Sequence, residues 1–272
     1  MSTPTTGRCN DRNDDRDADQ PREGAGMNYD WNWGIFAATT ITGAERYYDW
    51  MLVGLSLTVG IALLAWALAL LVGVMLGIAR TLPSRPLRMA VGVYVEVFRN
   101  IPLLVQLFFW YYIAPVFLPM TMQDAINQAH PVLVQSLTAA MCLGLFTAAR
   151  VCEQVRAGIE AQPPGQFAAA LALGLKRRQV YRYVTLPMAF RVIIPPMTSE
   201  FLNVFKNTAV ALTIGLMELT AQSRQMGEFT GHIFEAFIVA TGLYFLIAQV
   251  TTRLMERLER RLMIPGEAGA TR

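Results

Sequence analysis

Residues 51–79 run MLVGLSLTVGIALLAWALALLVGVMLGIA without a single charged side chain. As an α-helix rising about 1.5 Å per residue, this run outreaches the roughly 30 Å hydrocarbon core of a bilayer. Inside lipid only helices and closed barrels satisfy every backbone hydrogen bond, so a run of this kind commits the chain to a helical membrane architecture. The composition agrees, with 54 % hydrophobic residues and a mean hydropathy of +0.35 over 272 positions. Four further spans are expected at about 89–114, 132–152, 192–214 and 233–252, each interrupted by polar or charged residues. The expected fold is therefore an all-α integral membrane protein of about five transmembrane helices.

Basic residues orient it. Arg80, Arg85 and Arg88 follow the first span; Arg150, Arg156, Lys176, Arg177, Arg178, Arg182 and Arg191 surround the third connection; Arg253, Arg257, Arg260 and Arg261 follow the last span; residues 115–131 carry neither Lys nor Arg. Lys and Arg accumulate on the cytoplasmic side. The loops thus agree on an outside N-terminus and a cytoplasmic C-terminus. Arg8, Arg12, Arg16 and Arg22 run against this, but they stand more than about 20 residues from the first span, where the rule weakens.

The expected organisation has four parts. Residues 1–26 form a polar tail with little to bury, ahead of an alternative start at Met27; residues 27–50 form an aromatic outer segment; residues 51–255 form the membrane domain with a long loop at 159–187; residues 256–272 form a cytoplasmic tail. Tyr29, Trp31, Trp33, Tyr47, Tyr48 and Trp50 suit an outer interfacial belt. Cys9, Cys142 and Cys152 have no metal-like spacing, and the last two read as small apolar packers. No metal site is expected. Only Lys176 and Lys206 of the 23 basic residues are lysines, and no basic face suits nucleic acid. The chain contains neither GxxxxGK[ST] nor HExxH, so it has no phosphate-cradling loop of its own and no zinc-protease signature. It reads as a conduit rather than an enzyme.

The loop GQFAAALALGLKRRQVYRYVTLP, residues 165–187, reads as two short helices joined at Gly174, the second ending at Pro187. Ala168, Ala169, Ala170 and Ala172 present little bulk and permit close approach of a partner, with Phe167 and Leu171 as apolar anchors. The residues alone leave open a second reading, an amphipathic helix resting on anionic headgroups.

The pattern Gly165, Gln166, Ala168, Ala169, Ala170, Gly174, then Leu186 and Pro187, resembles the coupling loop of bacterial ATP-binding-cassette importer permeases. Its usual Glu is replaced by Ala168. YVEVFRNIPLLVQLFFWYY (94–112), ARVCEQVRAGIEAQPPGQ (149–166) and FKNTAVALTIGLMEL (205–219, with Ala209 where Ser is usual) resemble segments of polar-amino-acid permeases. MNYDWNWGIF, CLGLFTAARVCEQVR and YRYVTLPMAFRVIIPPMTSE are similar to the glutamate/aspartate group of that family. The resemblance covers about residues 28–265. It implies a bacterial inner-membrane permease subunit, a homologous second permease, two copies of a P-loop ATPase that bind the ATP, and a periplasmic amino-acid-binding protein. This chain would then hold no cofactor.

Charges inside spans need a partner or water. Glu96 and Arg99 share a helical face and can pair, Arg99 lying near the midplane if the second span begins at Met89; the pair either fixes packing or lines the pathway. Asn203, Lys206 and Asn207 lie on a span that also holds Pro195, Pro196 and Glu200, a composition suited to a cavity wall or to packing. Glu153 is expected to pair at the surface with Arg150 and Arg156, and His130 and His232 to be plain surface residues. Gly73 and Gly77 permit close helix packing. Readings that keep the architecture with glutamine, histidine, arginine or opine cargo, or that dispense with an ATPase altogether, stay open at this point, as does a scaffold role without transport.

Overall fold

In the computed structural model, residues 29–41 and 43–262 are described. The expectations for residues 1–26, Cys9, Met27 and residues 263–272 lie outside them. Residues 29–31 belong to a first unit, in which the Tyr29 and Trp31 rings meet edge to face at 4.9 Å. Everything from Asn32 onward forms the second unit.

The second unit is helical throughout its described length, apart from turns and a lone bridge between Thr39 and Arg46. A short 3-10 turn, Trp33–Ala37, precedes α1 (Tyr47–Thr81). Then come α2 (Arg85–Asn100), α3 (Leu103–Phe108), α4 (Met120–Gln128), α5 (Pro131–Glu160), α6 (Pro164–Ala172), α7 (Arg177–Val180), α8 (Leu186–Asn207), α9 (Leu219–Thr230) and α10 (Ile233–Leu262).

Among the described residues, three helices are long and apolar enough to cross a membrane: α1, α5 and α10. A fourth crossing is available only if α2 and the stretch Leu103–Phe117 count as one span, and these are bent by 106°. The straight helix expected at 89–114 is thus replaced by a broken one. Pro102, which has no N–H and disfavours a helical residue before it, stands at the break. The span expected at 192–214 falls on the latter part of α8 and the 3-10 stretch Thr208–Ile214, which does not meet the same length and apolarity. Glu200, Lys206 and two internal prolines account for that.

The core is a seam between α1 and α5, and its composition explains its closeness. On α1 the buried positions include Gly54, Thr58, Ala62, Ala65, Ala69, Gly73 and Gly77, a stripe of small residues about four apart. Lipid offers apolar side chains no gain over one another, so helices in it associate through close backbone approach. Val151 and Val155 of α5 fill the notches left by Gly73 and Gly77, where an added Cβ would lie 2.6 Å from the valine Cβ in each case. The close packing expected of that glycine pair is present. Cys142 and Cys152 are buried free thiols in α5, as expected.

Two acceptors, Glu218 and Thr58, fix the N-terminus of α9. Glu218 is fully buried, and its carboxylate accepts from the N–H groups of Thr220 (3.0 Å) and Ala221 (2.8 Å) and from the Tyr244 hydroxyl (2.9 Å). It thereby closes the N-terminus of α9 and ties it to α10. The next N–H, of Leu219, donates to Thr58 of α1 at 3.1 Å. Tyr47, assigned to the interfacial belt by its sequence position, is instead buried beside Ile35 and Met51.

Candidate coupling loop and pathway residues

The long loop is built from ordinary terminus chemistry. Pro163 and Pro164 stop α5 and open α6, where a missing N–H at the first helical position costs nothing. At the other end Gly174 has φ +85°, the Gly174 N–H donates to the Leu171 carbonyl (2.9 Å) and the Leu175 N–H to the Ala170 carbonyl (3.3 Å). This pair of bonds around a left-handed residue is the Schellman termination, and glycine alone takes that conformation without strain from a side chain. The joint at Gly174 between two short helices is therefore present.

The expected end at Pro187 is not. After α7 the chain makes a π-helical turn, Tyr181–Thr185, and runs straight into α8, with Pro187 in the first turn of α8. The Leu186 N–H reaches five residues back, to Tyr181, so the hydrogen-bond register shifts at the very place where proline has no donor to offer. Loop and span are one continuous rod from Arg177 to Asn207.

From Gly165 to Ala172 only Ala170 is buried, while Gly165, Gln166, Ala168, Ala169, Leu171 and Ala172 are exposed, as are Leu173 and Gly174 after it. Leu173 shows 83 % of its surface. Phe167 points inward and meets the Tyr181 ring edge-on at 5.9 Å. The Tyr181 hydroxyl in turn lies 3.3 Å from both the carbonyl and the hydroxyl oxygen of Thr81, the last residue of α1. Beneath α6 is a crevice open to solvent and lined among others by Gln166, Phe167, Tyr181 and Thr185. Leu186 is half-buried and Pro187 exposed.

The candidate pathway residues separate into two groups. Glu96 and Arg99 are both exposed in the last turns of α2, and no ion pair joins them among the described residues. The pairing that helical spacing allows is absent: α2 ends at Asn100, so both side chains stand at a helix end rather than in the middle of a buried span. Asn203 is half-buried and Lys206 exposed on α8. Asn207 lines an apolar crevice with Leu103 and Leu107 of α3 and Cys142 of α5, which brings the end of α8 against the segment that follows Arg99.

The ion pairs also differ from expectation. Glu153 pairs with Arg156 at 2.9 Å and with Arg80 of α1, not with Arg150. Arg150 turns to Glu200 of α8 at 3.5 Å, and Gln154 donates to the same carboxylate at 3.4 Å. Helical spacing put Arg150 and Arg156 equally near Glu153, and only the packing of α8 on α5 decides between them. His232 is no plain surface residue either: its Nδ1 lies 3.3 Å from the carboxylate of fully buried Glu235, which also accepts from the Asn32 N–H at 2.8 Å.

One structural residue gave no signal beyond being the lone polar side chain in IPLLVQLFF. Gln106 is buried at the α2 break, and its amide donates to the Phe98 (2.9 Å) and Ile101 (2.8 Å) carbonyls, which the end of α2 leaves without helical partners.

Residues 69–264 match the family described as "binding-protein-dependent transport system inner membrane component". The chain is 46 % identical over 244 residues to the glutamate/aspartate import permease protein GltJ of Escherichia coli (strain K12), covering 89 % of this chain and 99 % of that one. It is 31 % identical over 161 residues to GltK of E. coli O6:H1, covering 59 % and 70 %. Among solved structures, an amino acid ABC transporter with histidines matches at 30 % identity and a TM-score of 0.67, over 79 % of this chain and 95 % of that one.

Proposed function

Because the chain belongs to the family of inner-membrane components of binding-protein-dependent transport systems, we propose that it is a permease subunit of an ATP-binding-cassette importer that carries acidic amino acids, glutamate and aspartate, across a bacterial inner membrane. The observation that carries this reading is α6, an uncharged, small-residue helix with most of its surface exposed, joined through the Gly174 turn to a continuous helical rod. A separate P-loop ATPase binds and hydrolyses ATP; this subunit receives the motion. Two ATPases, a homologous second permease and an external amino-acid-binding protein complete the assembly.

The residues suggest how it works. Movement imposed on α6 passes through Phe167 and Tyr181 to the end of α1, and along the rod of α7 and α8 to Asn203, Lys206 and Asn207. Exposed Arg99 and Lys206 would offer positive charge to a cargo carboxylate, while the second permease closes the other wall of the pathway. The likeness to a transporter solved with histidines supports one other cargo reading, an amino acid with a neutral or basic side chain, on the same architecture.

Purification of the chain with its co-expressed neighbours tests the assembly. The expected outcome is that a P-loop ATPase and a second permease come with it, and that Leu173→Asp releases the ATPase alone. A chain that transports without any ATPase refutes the proposal. Competition of labelled glutamate uptake by unlabelled aspartate, glutamine, histidine and arginine separates the cargo readings.

A further inference from the structure

Between Glu160 and Glu200 the sequence contains no acidic residue, yet it carries Lys176, Arg177, Arg178, Arg182 and Arg191. Of these, Lys176, Arg177, Arg178 and Arg182 are exposed, and none sits in an ion pair among the described residues. The first three follow the Gly174 turn directly. Arg177 folds back over the Phe167 ring, with its guanidinium carbon 5.8 Å from the centroid. That contact holds the start of α7 against α6. The alanine face of α6, the protruding Leu171 and Leu173, and the cations at 176–178 therefore form one surface.

We propose that this surface fits a protein groove with an apolar floor and a rim of carboxylates, and that the rim belongs to the partner ATPase. The inference rests on the docking role given to α6 above and adds the chemistry of what it meets. An anionic membrane surface is the competing occupant for cations, and the apolar side of α6 argues against it. A helix that binds a bilayer buries large apolar side chains in the acyl boundary. Here Ala170 and Phe167 are spent inside the protein, and beside the outward Leu171 and Leu173 the face is made of Ala168, Ala169 and Ala172, which add little insertion energy but allow close approach of a partner backbone. Unpaired cations around such a contact steer association and fix register, and their contribution falls as salt rises.

The test is the full complex with Lys176→Gln/Arg178→Gln, leaving Arg177 on Phe167. Retention of the ATPase by the immobilised permease pair is measured from about 0.05 to 0.5 M NaCl, a range over which screening shortens to a few ångströms. The expected result is roughly tenfold weaker retention at low salt, with the two proteins converging at high salt. Equal retention with equal salt dependence overturns the inference while leaving docking through α6 intact. So does a variant that keeps its ATPase but loses binding of the isolated permease pair to phosphatidylglycerol vesicles, which assigns the cations to lipid. A wild-type pair that never retains an ATPase overturns the docking role and this inference together.

Discussion

Gly73→Ala is the sharpest test of how the membrane core is held. An added Cβ would lie 2.6 Å from Cβ and Cγ1 of Val151 and 2.8 Å from the Ala148 carbonyl oxygen. Carbon atoms rest at about 3.5–4.0 Å, so the helices must separate by about 1 Å. Neither obstacle can swing aside, because one is the branched stem of a valine and the other is backbone. Overpacking of this kind costs about 1–3 kcal/mol. Alanine also gains about 1 kcal/mol over glycine in a helix, and that gain must be separated out. Gly60 of the same helix provides the reference, since nothing lies within 4 Å of its Cβ position. Relative to Gly60→Ala, Gly73→Ala should therefore lower stability by about 1–3 kcal/mol, a factor of roughly 5 to 150 in the unfolding equilibrium. The measurement is SDS-driven unfolding of the purified chain in bicelles. Val151→Ala in the Gly73→Ala background should recover part of the loss. If Gly73→Ala and Gly60→Ala unfold alike, the seam is not close-packed and the account of the α1–α5 core is wrong.

Gln106→Leu removes the donor to the Phe98 and Ile101 carbonyls at the α2 break, and stability should fall by about 1–3 kcal/mol in thermal melting; uptake per molecule in the membrane should fall with it, and a variant with unchanged melting would show that the break holds without its staple. Tyr181→Phe removes the hydroxyl that reaches Thr81 but leaves the ring against Phe167. It should melt within about 1 kcal/mol of wild type, yet hydrolyse more ATP per amino acid imported in proteoliposomes. An unchanged ratio would remove the Tyr181 hydroxyl from the transmission route.

The three apolar helices were legible because lipid imposes a length and a composition that few other environments demand, and residues 51–79 meet both. Gly174 was legible for a similar reason, since a glycine after a run of helix formers has a specific terminating geometry. What stayed hidden depended on neighbours distant in sequence. Nothing in the vicinity of Glu153 chooses Arg80 over Arg150; that choice comes from α1 packing on α5 and α8 presenting Glu200. Pro187 was misread because a proline usually ends a helix, and the π turn that lets the helix pass through it has no composition of its own. Glu218 was hidden because glutamate is not a preferred cap; its role follows from Tyr244, which lies on another helix and donates to it.

These distant contacts share a consequence for coupling. Arg80 and Glu153 tie α1 to α5, Arg150 and Glu200 tie α5 to α8, and the glycine notches lock the first pair along its length. On the proposed coupling, three long helices joined in this way would move together. A body of that kind needs no relay of rearranging side chains to carry a displacement from α6 to Lys206, because the whole rod shifts at once. It follows that substitutions within the α1–α5 seam should unfold the protein rather than uncouple it. Uncoupling without unfolding should be confined to the places where α6 joins the body: the Gly174 turn, the Phe167–Tyr181 contact and the Tyr181 bond to Thr81. The contrast between Gly73→Ala, which acts on the body, and Tyr181→Phe, which acts on the joint, is therefore a direct measure of whether the permease transmits motion as a rigid unit.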